Sequence, residues 1–217
     1  MLLADSTGAQ YAPFLVLKQQ PSRVPATAVN KKQHHGFGRG LGPRMLKMQA
    51  ATGMPIYGNS KCWWNASLSI EFLRFHFGQR ETMEDPILLL WDEFSGHWTE
   101  EVEACARDLS VLLLKVPGNY TFVCQPADIA WMRPLKLQMR AQWISDMEEQ
   151  FRKRQASSSK FALKAPKRET VIGWLYASWN ALARSTIVGG FQKIGVPSDQ
   201  RARPPDQNGG FTRSYKM

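Results

Sequence analysis

Cysteine is scarce in this chain, and long apolar runs are missing. Only Cys62, Cys105 and Cys124 occur, an odd count without CxxC spacing, and such usage reads as a reduced, intracellular protein. No stretch approaches the roughly 20 apolar residues of a membrane-spanning helix. The first residues show no charged region leading into an apolar core and a small-residue cleavage site. Asn65-Ala66-Ser67 and Asn119-Tyr120-Thr121 match the glycosylation pattern, but without a secretory signal that match carries no meaning. Neither GxxxxGK(S/T) nor GxGxxG is present, so ATP-driven and dinucleotide chemistry have no support. No Ser-His-Asp order assembles with any specificity.

Acidic residues are unevenly distributed. Of 217 residues 28 are basic and 18 acidic, a net charge of +10. Residues 1–60 carry +6, residues 61–150 carry −6 and residues 151–217 carry +10. Basic flanks around an acidic centre suit a protein that meets a polyanion and neutralises its own carboxylates with divalent cations. They also suit an ordinary acidic surface with basic tails. With 43% apolar residues, 8 Trp and 11 Phe, the chain can fill a sizeable core as one domain with appendages.

The segment from Pro86 to Lys136 organises the rest. Ile87-Leu88-Leu89-Leu90-Trp91 has no polar residue and reads as a strand buried on both faces of a sheet. Asp92 follows at its carboxyl end, where α/β sheets place ligand sites. Thr99 is an N-cap, with Glu100 and Glu101 in the first turn of a helix reaching about Leu109. Val111–Val116 is a second strand, closed by Pro117-Gly118-Asn119. A strand–helix–strand unit predicts two parallel neighbours. Asp128 then stands in Gln125-Pro126-Ala127-Asp128, at the mouth of a long helical pattern.

Leu89-Leu90-Trp91-Asp92-Glu93-Phe94-Ser95-Gly96-His97, followed by Pro117, Thr121, Gln125-Pro126-Ala127-Asp128 and Pro134-Leu135-Lys136, resembles the DDE superfamily endonuclease domain of pogo, Tigger and jerky-type transposases. Ile56-Tyr57-Gly58-Asn59 with Trp63-Trp64-Asn65, and the closing Trp174, Trp179, Ile187 and Phe191-Gln192-Lys193-Ile194-Gly195, look like that family's flanking segments, so the resemblance covers residues 1–196. The resemblance implies an α/β, RNase H-like fold, a mixed sheet flanked by helices, in which three acids hold two divalent ions, Mg²⁺ or Mn²⁺, for DNA strand cleavage and joining. Hard cations take oxygen ligands, and two ions about 3.5–4 Å apart clamp the attacking and leaving oxygens. Asp92 and Asp128 match the second and third acids. His97 and Gln125 match motif positions that shape the site.

The same resemblance places the first acid on the opening central strand. Here Met1-Leu2-Leu3-Ala4, the turn Asp5-Ser6-Thr7-Gly8 and Tyr11–Lys18 correspond to the next two strands, so the expectation is an antiparallel hairpin over residues 1–18 and a domain without its first central strand. Asp5 is no substitute, because its context has hairpin-turn composition. The expected protein is a catalytically incomplete nuclease, with a non-catalytic nucleic-acid-binding or scaffold protein as the alternative. DNA is the implied partner and the nucleus the implied location. A membrane and a small-molecule substrate are not expected, and a homo-oligomer is left open.

Elsewhere, residues 19–55 are rich in Gly, Pro and basic residues and read as a long surface loop. His34 and His35 within it lack a third ligand at metal spacing and read as solvated. Asn65 caps a helix running to Gly78, with Leu68, Phe72, Leu73 and Phe75 as core. After Asp128, Trp131, Leu135, Met139, Trp143, Met147 and Phe151 mark one face of a helix to about Arg154. Arg133, Lys136 and Arg140 share another face, within reach of a phosphate backbone or simply solvated. A basic linker over 155–169, a last helix from Glu169 to Arg184 carrying Val171, Trp174, Leu175, Ser178 and Leu182, and a basic tail over 197–217 complete the reading.

Overall fold

Side chains alternate across an extended backbone, and the first four residues use that alternation to divide the interior. Met1 and Leu3 pack into one apolar cluster, Leu2 and Ala4 into another. The computed structural model describes residues 1–20, 35–155 and 162–196. His34 and the tail over 197–217 lie outside them.

The opening arm folds back on itself as expected. Ala4 bridges Gln10 in antiparallel fashion, and the Tyr11 and Phe14 amides donate to the Leu3 and Met1 carbonyls at 2.9 Å. Asp5 holds the turn: its Oδ1 accepts from the Thr7 amide at 2.9 Å, the Thr7 hydroxyl at 2.7 Å and the Ala9 amide at 3.0 Å. The arm then enters β1 (Leu15–Lys18), which pairs in parallel with β2 (Ile56–Asn59), Leu15 opposite Ile56. Between them lies α1 (Gly42–Thr52), in a stretch expected to be loop throughout. Its Gly and Pro punctuate the helix: Pro43 sits in the first turn and Gly53 closes the helix in the left-handed region at φ 68°, while Phe37, Met45 and Met54 are buried.

Asn65 caps α2 (Ala66–Phe77), its Oδ1 accepting from the Leu68 amide at 2.9 Å. Leu68, Phe72, Leu73 and Phe77 are buried, whereas Phe75 lies at the surface. Then come β3 (Ile87–Trp91), α3 (Glu100–Asp108) and β4 (Val111–Lys115). β3 and β4 pair in parallel, Ile87 opposite Val111, as the strand–helix–strand unit requires. Thr99 takes the N-cap position, although its side chain makes no capping bond.

The expected single mixed sheet is not what the described residues form. They form two two-stranded parallel sheets, β1–β2 and β3–β4, joined through side chains. Phe72 lies 5.7 Å from Phe14 and 5.6 Å from Trp91, ring centre to ring centre, and the Trp91 Nε1 meets the Met1 sulfur at 3.3 Å. On one side of both sheets α2 and α3 cover Phe14, Leu89, Trp91 and Val111. On the other side α1 and Ile172 cover β1–β2, while Trp131, Trp179, Leu182 and Ile187 cover Leu2 and Ala4.

That second layer stops short of β3–β4. Leu88, Leu112 and Leu114 are 59%, 58% and 49% exposed, so the reading of β3 as buried on both faces is corrected to burial on one. An uncharged strand is necessary for two-sided burial but does not supply the covering element.

The C-terminal part begins with the single turn α4 (Thr121–Cys124) and a π-turn over Ala127–Trp131, continuing into α5 (Met132–Gln155). The apolar stripe of α5 grades from buried Trp131 and Leu135 to exposed Phe151. Instead of one last helix to Arg184, the chain makes α6 (Arg168–Asn180) and α7 (Arg184–Lys193). The turn between them lets Trp179, Leu182 and Ile187 enter the same cluster. No helix among the described residues is long and apolar enough to cross a membrane.

Candidate functional site

Asp92 follows the last residue of β3 and is held by its own loop. Its Oδ1 accepts from the Phe94 amide at 3.0 Å and faces the His97 Nε2 at 3.5 Å, and its carbonyl accepts from the Trp98 Nε1 at 2.8 Å. The Lys115 ammonium, at the end of β4, lies 4.3 Å from the Trp98 ring centre. The loop docks on the start of α2 because residue 96 is glycine: a Cβ there would come within 3.2 Å of the Asn65 carbonyl carbon.

His97 is 2% exposed and stacks on Trp91, ring centres 3.9 Å apart. Its Nδ1 lies 2.9 Å from the Ser69 Oγ, which accepts from the Trp64 Nε1 at 2.9 Å. Burial pushes the His97 pKa down to about 4, against the opposing pull of Asp92. The ring is therefore neutral at physiological pH and carries one proton. The Ser69 hydroxyl donates to the Gly96 carbonyl at 2.7 Å, and its oxygen lies 2.9 Å from the ring's Nδ1. Trp64, Ser69 and His97 thus form a buried chain of polar contacts that ends 3.5 Å from the Asp92 Oδ1. Sequence reasoning missed Ser69, 28 positions from His97.

Asp128 is placed by different means. The Gln125 carbonyl accepts from the Asp128 and Ile129 amides, both at 3.1 Å, so Gln125 fixes the start of the π-turn through its backbone. The Met132 amide donates to the Ala127 carbonyl, a five-residue step. Pro134 follows without an amide proton, so an α-helix begun at Ala127 would lose a bond there. The Trp131 Nε1 donates to the Ile187 carbonyl at 3.3 Å. Gly190 lets α7 approach, since a Cβ would lie 2.9 Å from both the Pro126 oxygen and the Trp131 Nε1.

At this helix start a groove of about 400 Å³ is lined by Asp128, Met132, Arg133, Lys136, Leu137 and Arg140. The three cations expected to share a face line this groove together with Asp128. Three positive groups and one negative group, at the positive end of a helix, make a site with net attraction for anions.

Asp92 is not among the residues lining that groove. No group of three or more His, Cys, Asp or Glu residues that could hold a metal ion occurs among the described residues. Two carboxylates have the right donor chemistry for Mg²⁺ or Mn²⁺, but the described residues do not assemble a metal centre, and Asp5 is occupied by its turn. His35 stacks on Tyr57 at 4.3 Å with its Nδ1 3.1 Å from the Gln49 Oε1; it is a packing residue.

Residues 17–191 match the family model described as DDE superfamily endonuclease. Over 150 residues, 68% of the chain, the sequence is 24% identical to the human protein "Pogo transposable element with KRAB domain". The mouse protein of that name is 25% identical over 151 residues, again 68% of the chain. Each match covers 24% of the relative, so the chain spans about a quarter of the length of these curated relatives. No solved structure matches.

Proposed function

Because the chain belongs to the DDE superfamily endonuclease family, we propose that it is a transposase-derived nuclease domain that engages the phosphate backbone of DNA along the groove beside Asp128. The observation that carries this reading is that Arg133, Lys136 and Arg140, along the first turns of α5, line one groove with Asp128. Guanidinium and ammonium groups at one groove offer phosphate both charge and donors. In this reading Asp92 and Asp128 are the acids of an RNase H-like arrangement. His97 and Gln125 orient them, and Mg²⁺ or Mn²⁺ is the metal that DDE nucleases generally use. The location is nuclear and the partner is DNA.

Binding of a fluorescent duplex, followed by anisotropy across a range of salt concentrations, tests it. Each phosphate contact contributes about 0.9 to the slope of log affinity against log salt. Arg133→Ala, Lys136→Ala and Arg140→Ala together are expected to flatten that slope by about 2–3. An unchanged slope rejects the groove as the DNA surface. A second reading is a non-catalytic DNA-binding protein, favoured by the engagement of Asp5, the one carboxylate that precedes Glu71, in its own turn. The two readings part on strand cleavage.

A further inference from the structure

Two adjacent tryptophans precede α2, and they behave oppositely. Trp64 turns inward, its ring 5.5 Å from Phe14, 5.9 Å from Phe72 and 6.2 Å from His97, centre to centre. Trp63 is 67% exposed. It is nevertheless held in place. The Asn59 side chain brackets its backbone, Nδ2 donating to the Trp63 carbonyl at 2.7 Å and Oδ1 accepting from the Trp63 amide at 3.2 Å. Cys62 turns the chain with φ 58°, and its thiol donates to the Val16 carbonyl at 3.0 Å. The Lys61 ammonium stands 6.0 Å from the centre of the Trp63 ring.

This bracket lies next to the acid-bearing loop. Trp64 reaches His97 through its ring and through Ser69, and Gly96 backs onto the Asn65–Ala66 backbone. Hence an outward indole on a fixed backbone, with a cation 6.0 Å from its ring centre, precedes the helix against which the Asp92 loop docks. A flat π-surface in water has no role in the core, and mobile packing does not need two side-chain hydrogen bonds to fix its backbone.

We propose that Trp63 is a stacking platform for an unpaired nucleobase of a DNA strand, with Lys61 placed to meet the adjoining phosphate. The inference rests on the DNA reading above and adds a requirement for an unpaired base. Base–aromatic stacking tolerates any base, because every base has a π-face. A single-stranded end or a locally opened duplex is the ligand class, and a closed duplex does not use this residue.

Anisotropy titrations at one salt concentration test it, with a blunt duplex, the same duplex bearing a short single-stranded overhang, and that duplex with an overhang of abasic sites. The abasic overhang keeps the phosphates and removes the stack. The wild-type chain is expected to bind the base-bearing overhang about 5- to 30-fold more tightly than the abasic one. Trp63→Ala erases that difference and leaves blunt-duplex affinity unchanged. Trp63→Phe keeps most of it, and both variants melt where the wild type does. Equal affinity of the wild type for abasic and base-bearing overhangs overturns the proposal while the DNA reading stands, as does a difference that survives Trp63→Ala. Failure to bind any of the three DNAs overturns both.

Discussion

Leu88 and Leu89 are neighbours of one residue type on one strand, and replacing each in turn by alanine measures the two faces of β3. Leu89 is 7% exposed and packs among Phe72, Trp91, Val102 and Val111. Removing a buried leucine side chain loses its transfer free energy and leaves a cavity, together about 2–5 kcal/mol; for a tightly surrounded site about 3 kcal/mol is expected. Leu88 is 59% exposed. Only about two-fifths of the ~1.5–3 kcal/mol of full burial is available there, alanine keeps part of it and no cavity forms, so about 0.5 kcal/mol is expected. At 2–4 °C per kcal/mol for a chain of this size, Leu89→Ala lowers Tm by about 6–12 °C and Leu88→Ala by about 1–2 °C. Urea unfolding with a shared m value reports the same ratio in the midpoints. Equal losses would refute the one-sided burial and mean that something covers Leu88, Leu112 and Leu114 in solution.

Two further outcomes follow from the site. His76 and His97 both have pKa values lowered by burial to about 4 in the folded chain, against about 6.5 unfolded. Between those values the unfolded chain binds more protons, so stability is complete above about pH 6.5 and falls as pH drops towards 4. Urea midpoints at pH 7, 5.5 and 4.5 check this. The double variant His76→Gln, His97→Gln should show a shallower fall, and an equally steep one rejects the assignment. Incubated with Mg²⁺ or Mn²⁺, the purified chain is expected to leave supercoiled plasmid intact, since Asp5, the one carboxylate that precedes Glu71 in the sequence, is engaged by its own turn; metal-dependent nicking that Asp92→Asn abolishes would reverse that expectation.

Signals that are local in sequence translated into structure. Asn65 as a cap, the parallel pairing of β3 with β4 around α3, and the hairpin turn at Asp5 each depend on a few adjacent residues whose side chains bond nearby backbone. The missed elements depended on how local signals are weighed or on distant partners. Around α1, Gly and Pro read as loop composition, although Pro43 starts the helix and Gly53 ends it. Trp91 and Leu88 look alike in a run of apolar residues, yet α2 and α3 cover one and nothing described covers the other. No pattern within β3 carries that information, because it belongs to where the second helical layer ends.

The candidate site divides along the same line. Arg133, Lys136 and Arg140 lie three and four positions apart, so helical geometry alone puts them on one face, and the groove beside Asp128 gathers them. Asp92 is marked by its place at a strand end, but the His97 beside it is buried against Ser69 and Trp64, which the sequence offers only as a helix residue and an aromatic. The two acids are thus held by unlike supports, one by a buried neutral histidine and the other by a π-turn wedged against α7 at Gly190. Each support is rigid, and each depends on close packing. A change at either, such as Ser69→Val or Gly190→Val, is therefore expected to disturb the packing beside one carboxylate and not beside the other, because the two supports share no residue.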